Sequence, residues 1–485
     1  MRARHVQALA ALTVLAAILR FSTLSVQSYW FDEAVTVGLV KSGFGPMLSS
    51  IGGSESTPPL YYILAWAWSH VFGTSEAGLR SLSALAGTAF VPVAYAVAAT
   101  LASRRVAFTI AALATVNPLL IWYSQEARSY ALLALLSAAS LLLFARMLQR
   151  PDGRMLVAWT LVSALALATH YFAGFLILPQ AIWLIARWPS RRQPLLAAAA
   201  LVMVAGALVP LLTEQRNREL TSFITAQSLL GRLLRVPKQF LIGYDAPHDT
   251  ALAIAAACLA AVGLLLAYTR AVERERRAAR ICIVVAAAGV GIPLLLALLG
   301  ADYLDTRNVL GAWLPALLVP VIGFGARNTG RSGLLAAAGL GAIMLFVSIA
   351  VWTNPHYQRD DNRGLAHALG LATVPRAIVS TPAFAPTALG VYMKQPLVVP
   401  TQQGLVVREV DLVGLPIRSA GLTQAQKPPR TVPPPPAPGM QLVERRFAKT
   451  YSLVRYRSPT PVGVSVASLL GEKLDPRVPS VVYQR

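Results

Sequence analysis

Stretches of about twenty mainly apolar residues recur along most of this chain, parted by short polar breaks, and that rhythm leaves few architectures open. A helix needs roughly 20 such residues to cross about 30 Å of hydrocarbon. A membrane strand would instead alternate over about ten residues, and these runs do not alternate. Composition agrees. Of 485 residues, 55% are hydrophobic and only 13% charged, against about 25% charged in soluble domains, and mean hydropathy is +0.56. The chain therefore reads as a polytopic α-helical membrane protein.

The formal net charge is +22. The cationic residues cluster between apolar runs, the spacing that the positive-inside rule produces, so nucleic acid is not an expected partner; net charge alone speaks only to non-specific association. Cys258 and Cys282 both fall inside apolar runs. They read as small core residues rather than as a disulfide or metal site. Arg2 and Arg4 followed by Val6 to Leu19 imitate a secretory signal. No small-residue cleavage site precedes Trp30 and more spans follow, which predicts an uncleaved first helix with its N-terminus in the cytoplasm.

Charge also sets the topology. The run 60–72 is short, carries Ser69 and His70, and holds four Tyr or Trp residues. That pattern suits a helix lying at headgroup level on the outer surface. Spans are then expected at 6–24, 79–101, 106–123, 129–147, 155–171, 172–187, 194–212, 249–269, 281–300, 308–325 and 333–352, eleven in all. This count puts the basic breaks at Arg104/Arg105, Arg146/Arg150/Arg154, Arg187/Arg191/Arg192, Arg270 to Arg280 and Arg327/Arg331 inside. It puts 124–128, the surroundings of His170, 213–248 and 301–307 outside, along with everything after about 353. The expected domains are 1–352 in the membrane, with a first outer loop 25–78, and a C-terminal extracytoplasmic α/β or α+β domain, 353–485. Short β-branched runs such as Ala377 to Ser380 point to strands, and the proline-rich 428–439 to a polyproline-type loop.

The unusual polar residues collect on that outer face. Asp32 and Glu33 follow the first span beside Tyr29, Trp30 and Phe31. An acid this near the membrane is costly unless it serves or pairs. A solvated loop carboxylate is the plain reading, a general base toward a hydroxyl or amine the sharper one. Tyr123 to Tyr130 (YSQEARSY) offers one acid, one guanidinium and two phenols, a set suited to a phosphate and a sugar hydroxyl because arginine matches phosphate oxygens in a fork; the plain reading is a hairpin turn. His170-Tyr171 ends a span, where a lone histidine is more often a hydrogen-bonded core residue. Arg307 opens a helix, where the dipole favours anions, a mismatch that points to a bound anion. Arg216, Arg218, Arg232, Arg235 and Lys238 in 213–248 run against the inside rule, which points to a phosphate-bearing ligand or a solvated amphipathic helix. The chain holds no HExxH, CxxC or P-loop signature. The residues name no cofactor, and a divalent metal joining Asp32 stays open.

Read in order, these residues resemble a family: the bacterial relatives of protein O-mannosyltransferases and of the lipid A aminoarabinose transferase, membrane glycosyltransferases of the GT-C fold (glycosyltransferase family 39-like). The likeness runs through Arg20, Tyr29-Trp30-Phe31-Asp32-Glu33-Ala34, Thr57-Pro58-Pro59-Leu60-Tyr61-Tyr62, Phe72-Gly73, Glu76, Leu79-Arg80, Tyr123 to Tyr130, Thr169-His170-Tyr171, and Arg307 ahead of Leu314-Pro315-Ala316-Leu317. Where the family often has Arg-Tyr entering the late span, this chain has Arg307-Asn308. The resemblance implies a GT-C fold in a bacterial inner membrane and a polyprenyl-phosphate-linked sugar donor. It also implies an inverting transfer to a protein, lipid or envelope-glycan acceptor on the outer face. Asp32 would be the base and Glu33 its helper. Glu126, Arg128, Arg307 and Arg20 would hold the donor phosphate, with Tyr61, Tyr62, Tyr123, Tyr130, His170 and Tyr171 as further substrate contacts. The rivals are a carrier or flippase of lipid-linked precursors, which would need polar residues at mid-membrane depth on several spans, and a non-catalytic binding protein on the same scaffold.

Overall fold

The computed structural model describes residues 2–218, 222–401, 403–416, 427–472 and 474–485. The apolar runs become helices because a helix satisfies its backbone polar groups internally, as hydrocarbon demands. α1 (Arg2–Phe21) leads into three short helices, α2 (Phe31–Lys41), α3 (Phe44–Ser54) and α4 (Leu60–Phe72). Then come α5 (Glu76–Leu101), α6 (Arg104–Val116), α7 (Pro118–Ser124), α8 (Tyr130–Gln149), α9 (Gly153–Thr169) and α10 (Ala173–Arg187). α11 (Arg192–Asn217), α12 (Ser222–Thr225), α13 (Leu229–Ile242), α14 (Asp249–Arg270), α15 (Glu273–Leu298), α16 (Trp313–Gly325) and α17 (Ser332–Thr353) complete the helical series.

Among the described residues seven helices are long and apolar enough to span a membrane: α1, α5, α8, α11, α14, α15 and α17. α6 and α7 together make up to an eighth, bent by 58° at their junction. The other three expected segments are helical but shorter, 153–169, 173–187 and 310–325. The chain is a multi-pass membrane protein. The bend has a local cause. Pro118 cannot continue α6, and Asn117 instead caps α7, its Oδ1 accepting the Leu120 N–H at 3.0 Å while Nδ2 donates to Phe240 O at 2.8 Å. Helix α4 is the segment expected at the surface. Its 13 residues reach only about 20 Å at 1.5 Å per residue, short of the hydrocarbon thickness. Its indoles are tied to the protein, Trp66 Nε1 to Ser42 O at 3.0 Å and Trp68 Nε1 to Ser81 Oγ at 2.9 Å.

Packing divides the chain into two units, 1–24 with 39–350, and 25–38 with 351–485. In the second unit a five-stranded sheet has the order β3-β4-β2-β1-β5, with β1 (Arg376–Thr381), β2 (Gly404–Gly414), β3 (Gln441–Phe447), β4 (Ser452–Ser465) and β5 (Ser480–Gln484). Only β1 and β2 run parallel; the other pairs are antiparallel. Successive side chains alternate between two cores. Ala377, Val379, Val410, Leu412, Val454 and Tyr456 face one layer, and Ile378, Val413 and Leu453 face the other. Helix α18 (Asn362–Leu369) and α19 (Ala385–Gly390) cover the second layer through Leu365, Leu369, Ala385 and Leu389. A mixed sheet with helices packed on it is the small α+β domain that the strand signals predict.

This sheet carries a buried ionic ladder. Arg376 bonds Asp411 at 3.3 Å, and Arg455 bonds Asp411 at 2.8 Å and Glu444 at 2.8 Å. Both arginines also donate to Leu369 O, at 2.7 and 2.9 Å, so they close the C-terminal end of α18, where a helix favours cations. The proline-rich segment 428–439 has neither helix nor strand and is fastened to the domain by Tyr456 Oη donating to Pro433 O and by Thr431 Oγ1 donating to Leu474 O.

Candidate functional site

In the membrane unit, the polar breaks expected on one face converge. The turn 125–129 between α7 and α8 is held from below by Arg20. That buried guanidinium gives Nε to Ser124 Oγ at 3.1 Å, Nη1 to Thr115 O at 3.1 Å and Ala16 O at 3.2 Å, and Nη2 to Ala114 O at 2.9 Å. Two of these bonds, to Thr115 O and Ala114 O, close the carbonyl end of α6, which the bend at Asn117 leaves open. Gln125 ties the turn to the end of α1, donating to Leu19 O at 3.2 Å and Arg20 O at 3.1 Å. α5 runs alongside: Ser83 Oγ donates to Arg128 O at 3.3 Å and shares a hydrogen bond with Tyr61 Oη at 3.0 Å.

Arg128 meets a residue the motifs did not single out. Its Nη1 lies 2.6 Å and 2.7 Å from the two carboxylate oxygens of Glu55, and the two side chains are 4% and 2% exposed. Glu55 also accepts the Tyr62 hydroxyl at 2.7 Å, Tyr62 pairs with Thr57 at 3.0 Å, and the Arg128 guanidinium lies 5.7 Å over the Tyr62 ring. From Thr57 the network continues. Gln215 Nε2 donates to Thr57 O at 3.0 Å and Tyr171 Oη donates to Gln215 Oε1 at 2.8 Å. Glu55 sits two residues before the Thr57-Pro58-Pro59 motif as the residue closing α3. The sequence signal for it was an acid in the otherwise uncharged stretch 42–75.

The other expected contacts form one aromatic and ionic cluster. The Tyr123 and Tyr244 hydroxyls are hydrogen-bonded to each other. The Tyr123 ring is 4.8 Å from Tyr130, and Tyr130 is 6.1 Å from His170. His170 ends α9, accepts the Phe172 N–H at Nδ1 (3.2 Å), and interacts electrostatically with both Arg307 and Arg128. Tyr123 interacts likewise with Glu126 and Asp305. Glu126 is buried. Arg307 lies in the turn before α16, not at a helix start; its Nε is 3.6 Å from Asp305 Oδ1 and its guanidinium 4.8 Å over the Phe223 ring.

The cations of 213–248 behave differently from the reading of them as open charge; 219–221 of that loop lie outside the described residues. Arg232 is buried and forks onto Asp302, its Nη1 also reaching Leu304 O at 2.6 Å. Lys238 pairs with Asp249 at 2.7 Å and Arg235 bonds Gln227. Arg216 and Arg218 are exposed. Acids thus answer two of these five cations, Arg232 and Lys238. The Arg232 hydrogen bonds hold the Asp302 carboxyl below its usual range. A carboxyl with a depressed folded pKa stabilises the fold fully above its unfolded value of about 3.9 and loses that contribution as pH falls through the folded value. Acidification below pH ~4 is therefore expected to loosen α13 first. Hydrogen exchange of 229–242 checks this, and uniform loosening of the whole chain would contradict it.

Asp32 and Glu33 belong to the second unit. They form the first turn of α2, where the helix dipole favours negative charge. Glu33 is buried and reaches back to the Trp30 N–H at 3.5 Å, half of a capping box; Asp32 is half-buried. The approach to this turn is stapled to the C-terminal domain. Ser28 Oγ donates to Asp360 O at 2.7 Å, Tyr29 N to Tyr392 Oη at 2.6 Å, Asn362 Nδ2 to Tyr29 O at 3.0 Å, and Phe31 packs edge-on to Phe384 at 5.6 Å. Among the described residues no group of three or more His, Cys, Asp or Glu side chains is placed to hold a metal ion.

Residues 56–212, about a third of the chain, match the family model for dolichyl-phosphate-mannose-protein mannosyltransferase. The matched stretch contains the Thr57-Pro58-Pro59, Tyr123 to Tyr130 and His170 motifs, so the mannosyltransferase-like resemblance read from them is met there. No curated protein matches the chain. Among solved structures it is similar to the archaeal oligosaccharyltransferase AglB of Archaeoglobus fulgidus in complex with an inhibitory peptide and a dolichol-phosphate. The identity is 13% and the TM-score 0.48, with 75% of this chain and 57% of that one covered. It is also similar to ArnT of Cupriavidus metallidurans bound to undecaprenyl phosphate, at 14% identity and TM-score 0.41, covering 92% of this chain and 97% of that one. The chain spans little more than half the length of the oligosaccharyltransferase.

Proposed function

We propose that the protein is an inverting glycosyltransferase that moves a sugar from a polyprenyl-phosphate donor to an acceptor on the outer face of a bacterial plasma membrane. The observation that carries this reading is the convergence of Arg128 and Arg307 on His170, amid Tyr123, Tyr130 and Glu126, in a unit whose residues 56–212 match a family of lipid-phosphate-sugar transferases. Two guanidiniums among phenols are what a phosphate bearing a sugar requires.

In the transfer, the acceptor oxygen bonds to the anomeric carbon as the bond from that carbon to the phosphate oxygen breaks. The acceptor's proton passes to Asp32, the bonding pair leaves with the polyprenyl phosphate, and the anomeric configuration inverts. Arg128 and Arg307 stabilise the charge that develops on the leaving phosphate. Glu126 and the phenols orient the sugar, and Arg20 keeps the turn beneath them in place.

Binding tests the donor assignment without knowledge of the sugar. Undecaprenyl phosphate should bind the purified protein in nanodiscs, and Arg128→Gln and Arg307→Gln should each weaken it about 10- to 100-fold, the worth of a hydrogen bond to a charged group. Unchanged affinity in both variants would sink the reading.

A further inference from the structure

We infer that Glu55 is a positioning residue that acts through Arg128 to favour release of the spent lipid phosphate over retention of it. The inference rests on the proposed reading that Arg128 contacts the donor phosphate. A guanidinium in a largely buried site binds phosphate oxygens strongly. The donor and the spent carrier differ in charge. A sugar-phosphate-lipid is a diester with one negative charge. The released monoester carries about −1.5 to −2 at pH 7, since its second ionisation lies near pH 6. An unopposed Arg128 would therefore hold the product more tightly than the substrate.

Glu55 opposes that imbalance. Its carboxylate lies 2.6 Å from Arg128 Nη1, buried, and is fixed in place by the Tyr62 hydroxyl at 2.7 Å. A fixed anion behind the guanidinium repels a dianionic ligand about twice as strongly as a monoanionic one. Breaking a buried pair by removing one partner is costly, so the pair also holds the segment 55–62 against the turn 125–129. That structural duty affects both ligands alike. The charge duty does not.

The test compares undecaprenyl phosphate with its methyl diester in nanodiscs, for wild type, Glu55→Gln, Glu55→Asp and Arg128→Gln, between pH 5 and 8. Glu55→Gln should bind the monoester about tenfold more tightly and the diester only about threefold more tightly. The gap between them should widen as pH rises through ~6. The ionisable groups bonded to Glu55 include Arg128 and Tyr62, neither of which titrates in this range on its ordinary value, and the Glu214 carboxylate, present in both proteins, lies against Gly52 of the same helix. His170, near Arg128, is common to both proteins and cancels in the comparison.

Glu55→Asp, which draws the charge back by one methylene, should move selectivity the same way by about twofold, and it decides the question if Glu55→Gln is not recovered folded. Equal weakening of both ligands, or a monoester-to-diester ratio that matches wild type at every pH, would overturn the inference while leaving the donor reading intact. Arg128→Gln separates the two: if it weakens neither ligand, the donor reading itself has failed.

Discussion

Asp32→Asn is expected to lower sugar transfer about a hundred- to ten-thousand-fold, the usual contribution of a general base, with thermal unfolding lowered only slightly and membrane insertion unchanged. Asparagine keeps the shape and the hydrogen-bonding oxygen of aspartate but cannot take a proton. Asp32 is half-buried in the first turn of α2, and the backbone contact made there, Thr36 Oγ1 donating to Asp32 O at 3.2 Å, does not involve its carboxylate. Loss of a charge at the dipole's favourable end costs only about 0.3–1 kcal/mol.

Glu33 supplies the contrast. It is fully buried and closes back on Trp30, so Glu33→Gln should cost stability and only about tenfold in rate, an effect of aim rather than of proton transfer. Transfer assayed in proteoliposomes with lipid-linked sugars from the source membrane distinguishes them. A wild-type rate for Asp32→Asn would remove the base assignment. Loss confined to Glu33→Gln would exchange the two roles.

The helices were legible because hydrocarbon enforces them. Helix α4 has the bounds expected from the run 60–72, and each of the eleven expected segments is helical. What stayed hidden is pairing over long sequence distances. Nothing local in Glu55 announces Arg128, 73 positions on, or in Arg232 announces Asp302, 70 positions on. Both look like free charge until folding brings the breaks together. The shortfall of α9 and α10 has a local origin instead. The expected spans 155–171 and 172–187 abut, whereas the helices stop at Thr169 and resume at Ala173, parted by a turn in which the His170 ring accepts the Phe172 N–H. Segment 25–38 is the largest surprise. Its apolar and aromatic residues look like a membrane loop, but their partners Asp360, Asn362, Phe384 and Tyr392 lie more than 330 residues away in a domain without a motif.

Gly323→Val is expected to be the most damaging single change in the membrane unit. Without a hydrophobic force between helices in lipid, association rests on close packing through small residues, and α14 crosses α16 on such a seam. A Cβ at Gly323 would stand 1.9 Å from Gly263 O and 2.5 Å from Ala267 N; one at Gly263 would stand 2.6 Å from Pro320 O. These are backbone atoms, so no side-chain rotation relieves the clash and the helices must part. Overpacking of a side chain costs about 1–3 kcal/mol. Separating two helix backbones also loses the contacts along the seam, so about 3 kcal/mol or more is expected. Gly323→Ala already adds the offending carbon and should show most of the loss. Gly339→Ala, where the nearest atom would be the tip of Leu259 at 3.5 Å, should show almost none. Thermal unfolding in detergent, with the monodisperse fraction after extraction, reads the series; equal behaviour of the Gly323 and Gly339 variants would mean that α14 and α16 do not cross in contact.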